Sequence, residues 1–162
     1  MQGDPRGRTA YLEADLRHPE AVLHHRTLRE TLDLQQPVGL LTVAIQHFVH
    51  DDEQATTVVR RLLDALPSGS YLVITHGTMD FSTPQGIAAY EKMFAAGGTD
   101  VRARSKKTIE GYLDGLDIVE PGIVAVSDWR PDDATAPRPS ARTSGSTAWS
   151  AANPSPGRAP KP

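Results

Sequence analysis

The eight residues from Val38 to Ile45, Val-Gly-Leu-Leu-Thr-Val-Ala-Ile, constrain the fold more than any other stretch of the chain. They are apolar almost throughout, rich in branched side chains and short. Such a run fits a strand covered on both faces, as in a parallel sheet, better than one strand of an exposed hairpin. A parallel partner needs a crossover helix, and the next segment supplies one. Asp51, Asp52 and Glu53 are acids suited to a first helical turn, and Ala55, Val58, Val59, Leu62, Leu63 and Leu66 follow at helical spacing until Pro67-Ser68-Gly69 stops them. Tyr71-Leu72-Val73-Ile74 then reads as the second buried strand.

The remaining elements are weaker. Thr9 to Ala14 alternates loosely and reads as a short strand closing on Asp15, and Pro19 opens a helix from about Glu20 that breaks near His25. Leu28 and Leu32 continue its apolar face until Pro37 ends the segment. Ile87, Tyr90 and Phe94 mark another amphipathic helix before Gly97-Gly98, and Ser105 caps one carrying Ile109, Tyr112 and Leu113, ended by Gly115. Ile118-Val119 and Ile123 to Val126 flank Glu120-Pro121-Gly122 as an expected hairpin. The fold class is α/β: an open sheet with an antiparallel edge.

From Pro131 to Pro162 the sequence is nearly all Pro, Ala, Ser, Thr, Gly and Arg, with 7 of the 13 prolines and one aromatic, Trp149. Such a composition does not offset its ordering entropy, so a disordered tail is expected after a working domain at 1–130. That body carries 13 basic against 18 acidic residues. An acidic body argues against nucleic acid as a partner, because phosphate neutralisation needs clustered Lys and Arg. There is no cysteine, hence no thiolate nucleophile and no Cys-based metal centre. No apolar run approaches the roughly 20 residues of a membrane helix, and Met1 to Arg6 lacks a signal-peptide core, so a cytoplasmic protein is expected.

Ligands of open α/β sheets sit beyond the carboxyl ends of the strands. The residues in question there are Asp15-Leu16, Gln46-His47-Phe48 and Thr75-His76-Gly77. Asp15 could accept from an exocyclic amine beside the Leu16 N–H, or simply begin the turn into the Pro19 helix. His47 and Phe48 offer flat side chains to a nucleobase, or pack. His47, His50, Asp51 and Asp52 match no established metal-ligand spacing, and no metal is expected. His76 is the candidate general base at the next strand end. Arg60-Arg61 and Lys106-Lys107 read as solvated helix faces. No two glycines are separated by one residue, so no Gly-x-Gly loop is present, nor a phosphate-binding Lys loop, a Gly-x-Ser-x-Gly turn or a His-Glu-x-x-His.

Several long strings are familiar in order: Arg8-Thr-Ala-Tyr-Leu-Glu-Ala-Asp15-Leu-Arg-His-Pro-Glu-Ala, Thr31 through Val49, Val59 through His76, and Leu116-Asp-Ile-Val-Glu-Pro-Gly-Ile-Val124, reaching Trp129-Arg130-Pro131. They resemble a bacterial family of S-adenosylmethionine-dependent methyltransferases once catalogued only as a domain of unknown function. The resemblance implies a Rossmann-like class I sheet in the order 3-2-1-4-5-7-6, S-adenosylmethionine as cofactor and a methyl acceptor that the sequence does not disclose. Asp15 and Leu16 would match the adenine-binding pair, and Ala44, His47 and Phe48 the segment after the fourth strand that touches the cofactor. His76 matches a family histidine by position only.

The resemblance further implies that strands 1 and 2, the glycine-rich turn and the ribose-binding acid lie upstream, leaving this chain the carboxyl-terminal portion with an incomplete cofactor site. Removing two strands at 4.8 Å spacing opens a gap of roughly 14 Å between strands three and four. Two functions are therefore expected: a methyltransferase lacking the glycine-rich half of its site, or a non-catalytic module acting through the Pro-rich tail or through unpaired sheet edges, the latter giving a homodimer.

Overall fold

The computed structural model describes residues 7–129 and, for the backbone, 147–154. Its elements in chain order are α1 (Pro19–Leu23), α2 (Arg26–Thr31), β1 (Gly39–Val43), α3 (Asp52–Asp64), β2 (Tyr71–Gly77), α4 (Pro84–Ala95), α5 (Lys106–Tyr112), β3 (Leu116–Ile118), β4 (Val124–Ala125) and β5 (Thr147–Pro154). One 3-10 turn, Gln46–Phe48, follows β1.

The helix ends follow their sequence signals. Pro19 stands in the first turn of α1, and α2 begins where the His25 Nδ1 accepts from the Thr27 N–H at 3.2 Å. Asp51 caps α3 by accepting from the Gln54 N–H at 2.7 Å, Thr83 caps α4 through the Gly86 N–H at 3.1 Å, and Ser105 caps α5 through the Thr108 N–H at 3.2 Å. The apolar stripe of α3, Ala55, Val58, Val59, Leu62 and Leu63, is buried. Ala55, Val59 and Leu63 pack with Leu72 and Ile74 of β2 and with Ile109, Tyr112 and Leu113 from the α5 region, forming the main core, while Val58 and Leu62 join Leu23 of α1 in a second cluster.

β1 and β2 pair in parallel, Gly39 opposite Tyr71 through Val43 opposite Thr75, with α3 as the crossover. The expectation that Val38 to Ile45 is covered on both faces is corrected. Only one face of β1 is packed: Thr42 is buried and Leu40 half-buried, whereas Leu41 is 63% and Val43 51% exposed. Alternation in a strand sends neighbouring side chains to opposite faces, and the helices of this domain cover one of them.

The carboxyl-terminal half departs further from expectation. Glu120-Pro121-Gly122 does form a turn, closed by the Gly122 N–H on the Val119 carbonyl at 2.9 Å, but its flanks do not make a hairpin. β3 and β4 each pair antiparallel with β5, and β5 pairs antiparallel with β2 from Leu72–Ala152 to Gly77–Thr147. Thr147–Pro154 is thus a strand inside the segment expected to be disordered; the rest of 131–162, Pro131 to Ser146 and Ser155 to Pro162, lies outside the described residues. Composition misleads here because backbone pairing needs no apolar side chains, and the edge of β2 presents a row of donors and acceptors. The resulting order, β1-β2-β5-β3, repeats the 4-5-7-6 half of the expected arrangement, with β5 as the antiparallel seventh strand.

Thr9 to Ala14 forms no strand. It has no regular structure, Tyr11 is 90% exposed, and among the described residues no strand offers it a ladder. At that edge of the sheet, β1 pairs only with β2 among the described residues.

One-sided burial fixes the sign of two substitutions. Leu72→Ala, at a fully buried site, lowers the unfolding free energy by about 2–5 kcal/mol. Leu41→Ala changes it by no more than about 0.5 kcal/mol. Urea denaturation measures both, and similar costs would contradict the one-sided packing of β1.

Candidate functional site

Parallel strands β1 and β2 end side by side, and the chain leaves β1 through a sharp reversal. Ala44 takes a left-handed conformation, φ 51°, and its N–H donates to the Thr75 hydroxyl at 2.7 Å. A non-glycine residue holds such a backbone only where its surroundings fix it, and this one turns Gln46–Phe48 across the strand ends.

The segment Ala14 to Arg17 arrives at the same place without regular structure. Together the two enclose a cavity of about 400 Å³ lined by Ala14, Asp15, Leu16, Arg17, Ile45, Phe48, Val49, His50 and Asp100. Of the residues picked out from the sequence, Asp15, Leu16 and Phe48 therefore meet around one cavity. Ala44 and His47 do not line it. Ala44 sets the turn, and the His47 ring is buried with an edge-on contact to Phe48 at 4.5 Å and to His76 at 5.6 Å. A larger groove of about 880 Å³ runs along α1, α2 and the end of α3 between charges of both signs, and holds none of the candidate residues. It is far from the strand ends and carries no chemistry the sequence singles out.

Asp15 is engaged within its own segment. Arg17 donates from Nε to both carboxylate oxygens at 3.0 and 2.9 Å, from Nη2 to Oδ2 at 2.6 Å and from its backbone N–H to Oδ1 at 2.9 Å. These hydrogen bonds hold the Asp15 carboxyl down at about 2. Asp15 is thus at once an ionised acceptor and the turn-forming residue that starts the bend into α1, its carbonyl accepting from the His18 N–H at 2.9 Å. Of the two readings drawn from the sequence, the turn is the one these hydrogen bonds show.

Beneath the loop lies a buried polar cluster that sequence reasoning missed. Arg104, 4% exposed, donates from Nε to Asp52 Oδ1 at 2.8 Å, from Nη1 to the Gln46 carbonyl at 3.3 Å and from Nη2 to the Val49 carbonyl at 2.7 Å. Its Nη1 also lies 3.2 Å from His76 Nε2. A guanidinium only donates, and the Gly77 carbonyl, 2.8 Å from His76 Nδ1, only accepts. His76 therefore carries its proton on Nδ1 and gives its Nε2 lone pair to Arg104. That lone pair is the one a general base would use, and the ring is fully buried, so His76 stands as a partner of Arg104 and presents no free acceptor. In the sequence Arg104 is only the second arginine of Arg102-Ala103-Arg104, just before the Ser105 helix cap.

Burial, reinforced by Arg104 and His47 and opposed by the Gly77 carbonyl and Asp52, pushes the His76 imidazole down to about 4. Burial and then Arg104 lower His47 in the same direction. Burial raises the Tyr112 hydroxyl to about 12. That hydroxyl, both polar atoms of the Gln46 amide and His47 Nδ1 are buried without a hydrogen-bond partner. Of the possible metal set, Asp51 is spent on its helix cap and His50 Nε2 donates to the Asp100 carbonyl at 2.7 Å. Among the described residues no three His, Asp or Glu side chains converge, and no helix is long and apolar enough to cross a membrane.

Comparison with known proteins places this geometry. The profile of a family described as S-adenosyl methyltransferase matches residues 1–153. A solved structure of a DUF574 family protein from Streptomyces avermitilis is 41% identical, with TM-score 0.77, over 93% of this chain and 57% of its own. A Thermobifida fusca protein bearing a provisional methyltransferase label is 28% identical, TM-score 0.74, over 87% of this chain and 52% of its own. A SAM-dependent methyltransferase from Methanosarcina mazei, 11% identical with TM-score 0.53, shares the fold. The chain thus spans just over half the length of the two more similar structures. No curated protein matches it.

The buried imidazoles make stability depend on pH. Unfolded His76 takes up a proton below its ordinary value of 6.5, whereas folded His76 does so only near 4. Stability is accordingly complete above pH 6.5 and falls as pH drops from there toward 4, by roughly 3 kcal/mol for this group. Urea denaturation at pH 7 and pH 4.5 reads the loss, and equal midpoints would show that His76 is not held neutral.

Proposed function

Because the chain belongs to the S-adenosyl methyltransferase family, we propose that its described residues form the adenine-facing side of the S-adenosylmethionine pocket of a methyltransferase. The observation that carries this reading is the meeting of Asp15-Leu16 with Phe48 around one cavity of about 400 Å³, although 32 residues of sequence separate them. The donor set suits a purine. An ionised carboxylate accepts from an exocyclic amine, the adjacent Leu16 N–H donates to a ring nitrogen, and the Phe48 ring, 49% exposed, offers a flat apolar face.

S-adenosylmethionine supplies an electrophilic methyl group on sulfur. What this chain does is hold one end of that molecule. Arg17 shares the Asp15 carboxylate and yields part of it to an arriving amine, and Ile45 and Val49 keep water from the apolar side of the cavity. Transfer of a methyl group demands alignment more than proton traffic, so positioning is the contribution sought from these residues. His76, with its lone pair committed to Arg104, takes no proton from the acceptor. The acceptor itself is not specified by any residue described here.

The glycine-rich half of the site has no counterpart in this sequence, which holds no Gly-x-Gly. A chain with only the purine half binds weakly. Calorimetric titration with S-adenosylmethionine is expected to show no micromolar binding, while a chemical-shift titration at millimolar S-adenosylhomocysteine moves the Leu16, Phe48 and Val49 amides. Asp15→Ala weakens that binding about fivefold, the equivalent of one hydrogen bond. A micromolar dissociation constant would overturn the half-site reading, and shifts confined to the α1–α2 groove would overturn the placement.

A second reading rests on the sheet face away from α3. Leu41, Val43 and Tyr71 are 63%, 51% and 48% exposed there, at the margin where β1 has no second partner among the described residues. Exposed apolar strands at an open edge recruit another strand. Under this reading the chain is an interaction module that pairs with a copy of itself, and light scattering behind size exclusion yields twice the 17.5 kDa chain mass. A monomer at tens of micromolar would exclude it.

A further inference from the structure

The loop that presents Phe48 to the cavity has little to hold it. Within Gln46–Phe48 and its exit only two backbone bonds close, the Phe48 N–H on the Ile45 carbonyl and the Val49 N–H on the Gln46 carbonyl, both 3.1 Å. A single 3-10 turn of this kind has no stability of its own. Carbonyls along residues 46–51 lie within reach of a buried donor, and a buried carbonyl left short of a partner costs about 1–3 kcal/mol.

Those carbonyls converge on one side chain. Arg104 takes the Gln46 carbonyl at 3.3 Å and the Val49 carbonyl at 2.7 Å, with the His50 and Asp51 carbonyls at 3.3 and 3.4 Å from the same Nη2. Nε reaches Asp52, the first residue of α3, and Nη1 reaches His76 at the end of β2. One planar fork thus ties the loop to the helix that follows it and to the neighbouring strand. The backbone around Arg104 does the same: the Arg102 N–H donates to the His47 carbonyl at 2.8 Å and the Arg104 N–H to the Gly77 carbonyl at 2.9 Å. This strap is itself pinned by α4, whose Tyr90 hydroxyl donates to the Val101 carbonyl at 2.7 Å and accepts from the Ala103 N–H at 2.6 Å.

We propose that Arg104 is the positioning residue of this site: its guanidinium gathers the inward carbonyls of residues 46–51 and so sets where Phe48 stands opposite Asp15-Leu16. It touches no cavity surface itself. The assignment deepens the purine-pocket reading, on which its ligand arm rests. Lysine does not replace it, because a single ammonium with three donors cannot serve Asp52, His76 and the two loop carbonyls at once.

The test uses the whole chain, S-adenosylhomocysteine as probe, and two variants. Arg104→Lys keeps the charge and loses the fork. Asp52→Asn acts from a 59% exposed partner that does not line the cavity, so it folds even where the arginine variant does not. Amide hydrogen exchange is read at Phe48 and Val49 in the loop and at Leu72 and Ile74 in the core, and the probe's dissociation constant is read on folded protein. The expected result is at least tenfold faster loop exchange and at least tenfold weaker binding in Arg104→Lys, and two- to fivefold changes in Asp52→Asn, with core exchange unaltered. A residue that served only overall stability would speed core and loop exchange together and leave the affinity of folded molecules alone, which overturns the proposal. Loop protection equal to wild type in either folded variant overturns it as well. Absence of probe binding by the wild type defeats the purine-pocket reading instead, and the exchange measurements then decide the role of Arg104 by themselves.

Discussion

A guanidinium buried beneath a loop is the constraint around which this end of the molecule is arranged. Arg104 is 4% exposed, and a charge taken so far from water must be met by acceptors on every side. The structure supplies them from three places that the chain visits separately: the loop after β1, the start of α3 and the end of β2. The demand also works in reverse. Of the carbonyls the arginine reaches, Gln46 and Asp51 also accept a backbone N–H, from Val49 and Ala55, while the shortest bond of the set is the one from Arg104 to Val49, so the arginine and the loop each favour the other's conformation. His76 belongs to this arrangement, since a neutral imidazole protonated on Nδ1 is the form that can accept from the guanidinium, and burial ensures that it stays neutral.

The sheet shows a related division of labour. On one side α3 and the α5 region bury Leu72, Ile74, Val59 and Tyr112 in a continuous core, and on the other Leu41, Val43 and Tyr71 meet solvent. At the margin beyond β2, β5 enters antiparallel and joins β3 and β4, which do not pair with each other. A strand of such plain composition finds its place through the ladder of β2, a contribution of main-chain groups that side-chain hydropathy does not register. The opposite margin, at β1, is where the cavity between residues 14–17 and 45–50 opens.

How much of this was legible follows from what each signal measures. Helix signals are local: the apolar stripes of α3 and α4 and the Ser105 cap of α5 placed those helices, while the caps at Asp51, read only as a first-turn acid, and at Thr83 were seen in the structure alone. The β1–β2 pair was legible because its branched, apolar runs flank a helix of the right length. The hairpin at Glu120 to Gly122 was misread because a turn predicts reversal of the chain, not which strand each arm will pair with. Thr9 to Ala14 was misread for the same reason, since alternation promises a strand only if a partner exists. Among site residues, Asp15, Leu16 and Phe48 were reachable through resemblance to a family, whereas Arg104 was not, because nothing in a sequence reveals that four carbonyls and a carboxylate will converge on one position 55 residues after the loop it holds.

The cavity itself is built from two segments without regular structure, and their preparation is unequal. Phe48 stands on a loop bonded from below by the buried Arg104, itself met by the buried His76 and by the more exposed Asp52. Asp15 is held from within its own turn, by an arginine two residues away whose side chain is 58% exposed. An ion pair open to water exchanges its partners readily because solvent screens both charges, so the Asp15 carboxylate can hand a lone pair from Arg17 to an incoming amine with little reorganisation. A fixed aromatic wall beside an exchangeable acceptor suits a ligand whose flat face must be seated before its polar edge is read. The order matters for affinity: the rigid wall limits the entropy lost on binding, while the loose acceptor supplies discrimination between an amine and a carbonyl at the purine edge. Under the proposed reading, specificity would belong to the Asp15-Arg17 turn and the precision of seating to Arg104, although neither lies near the other in the chain.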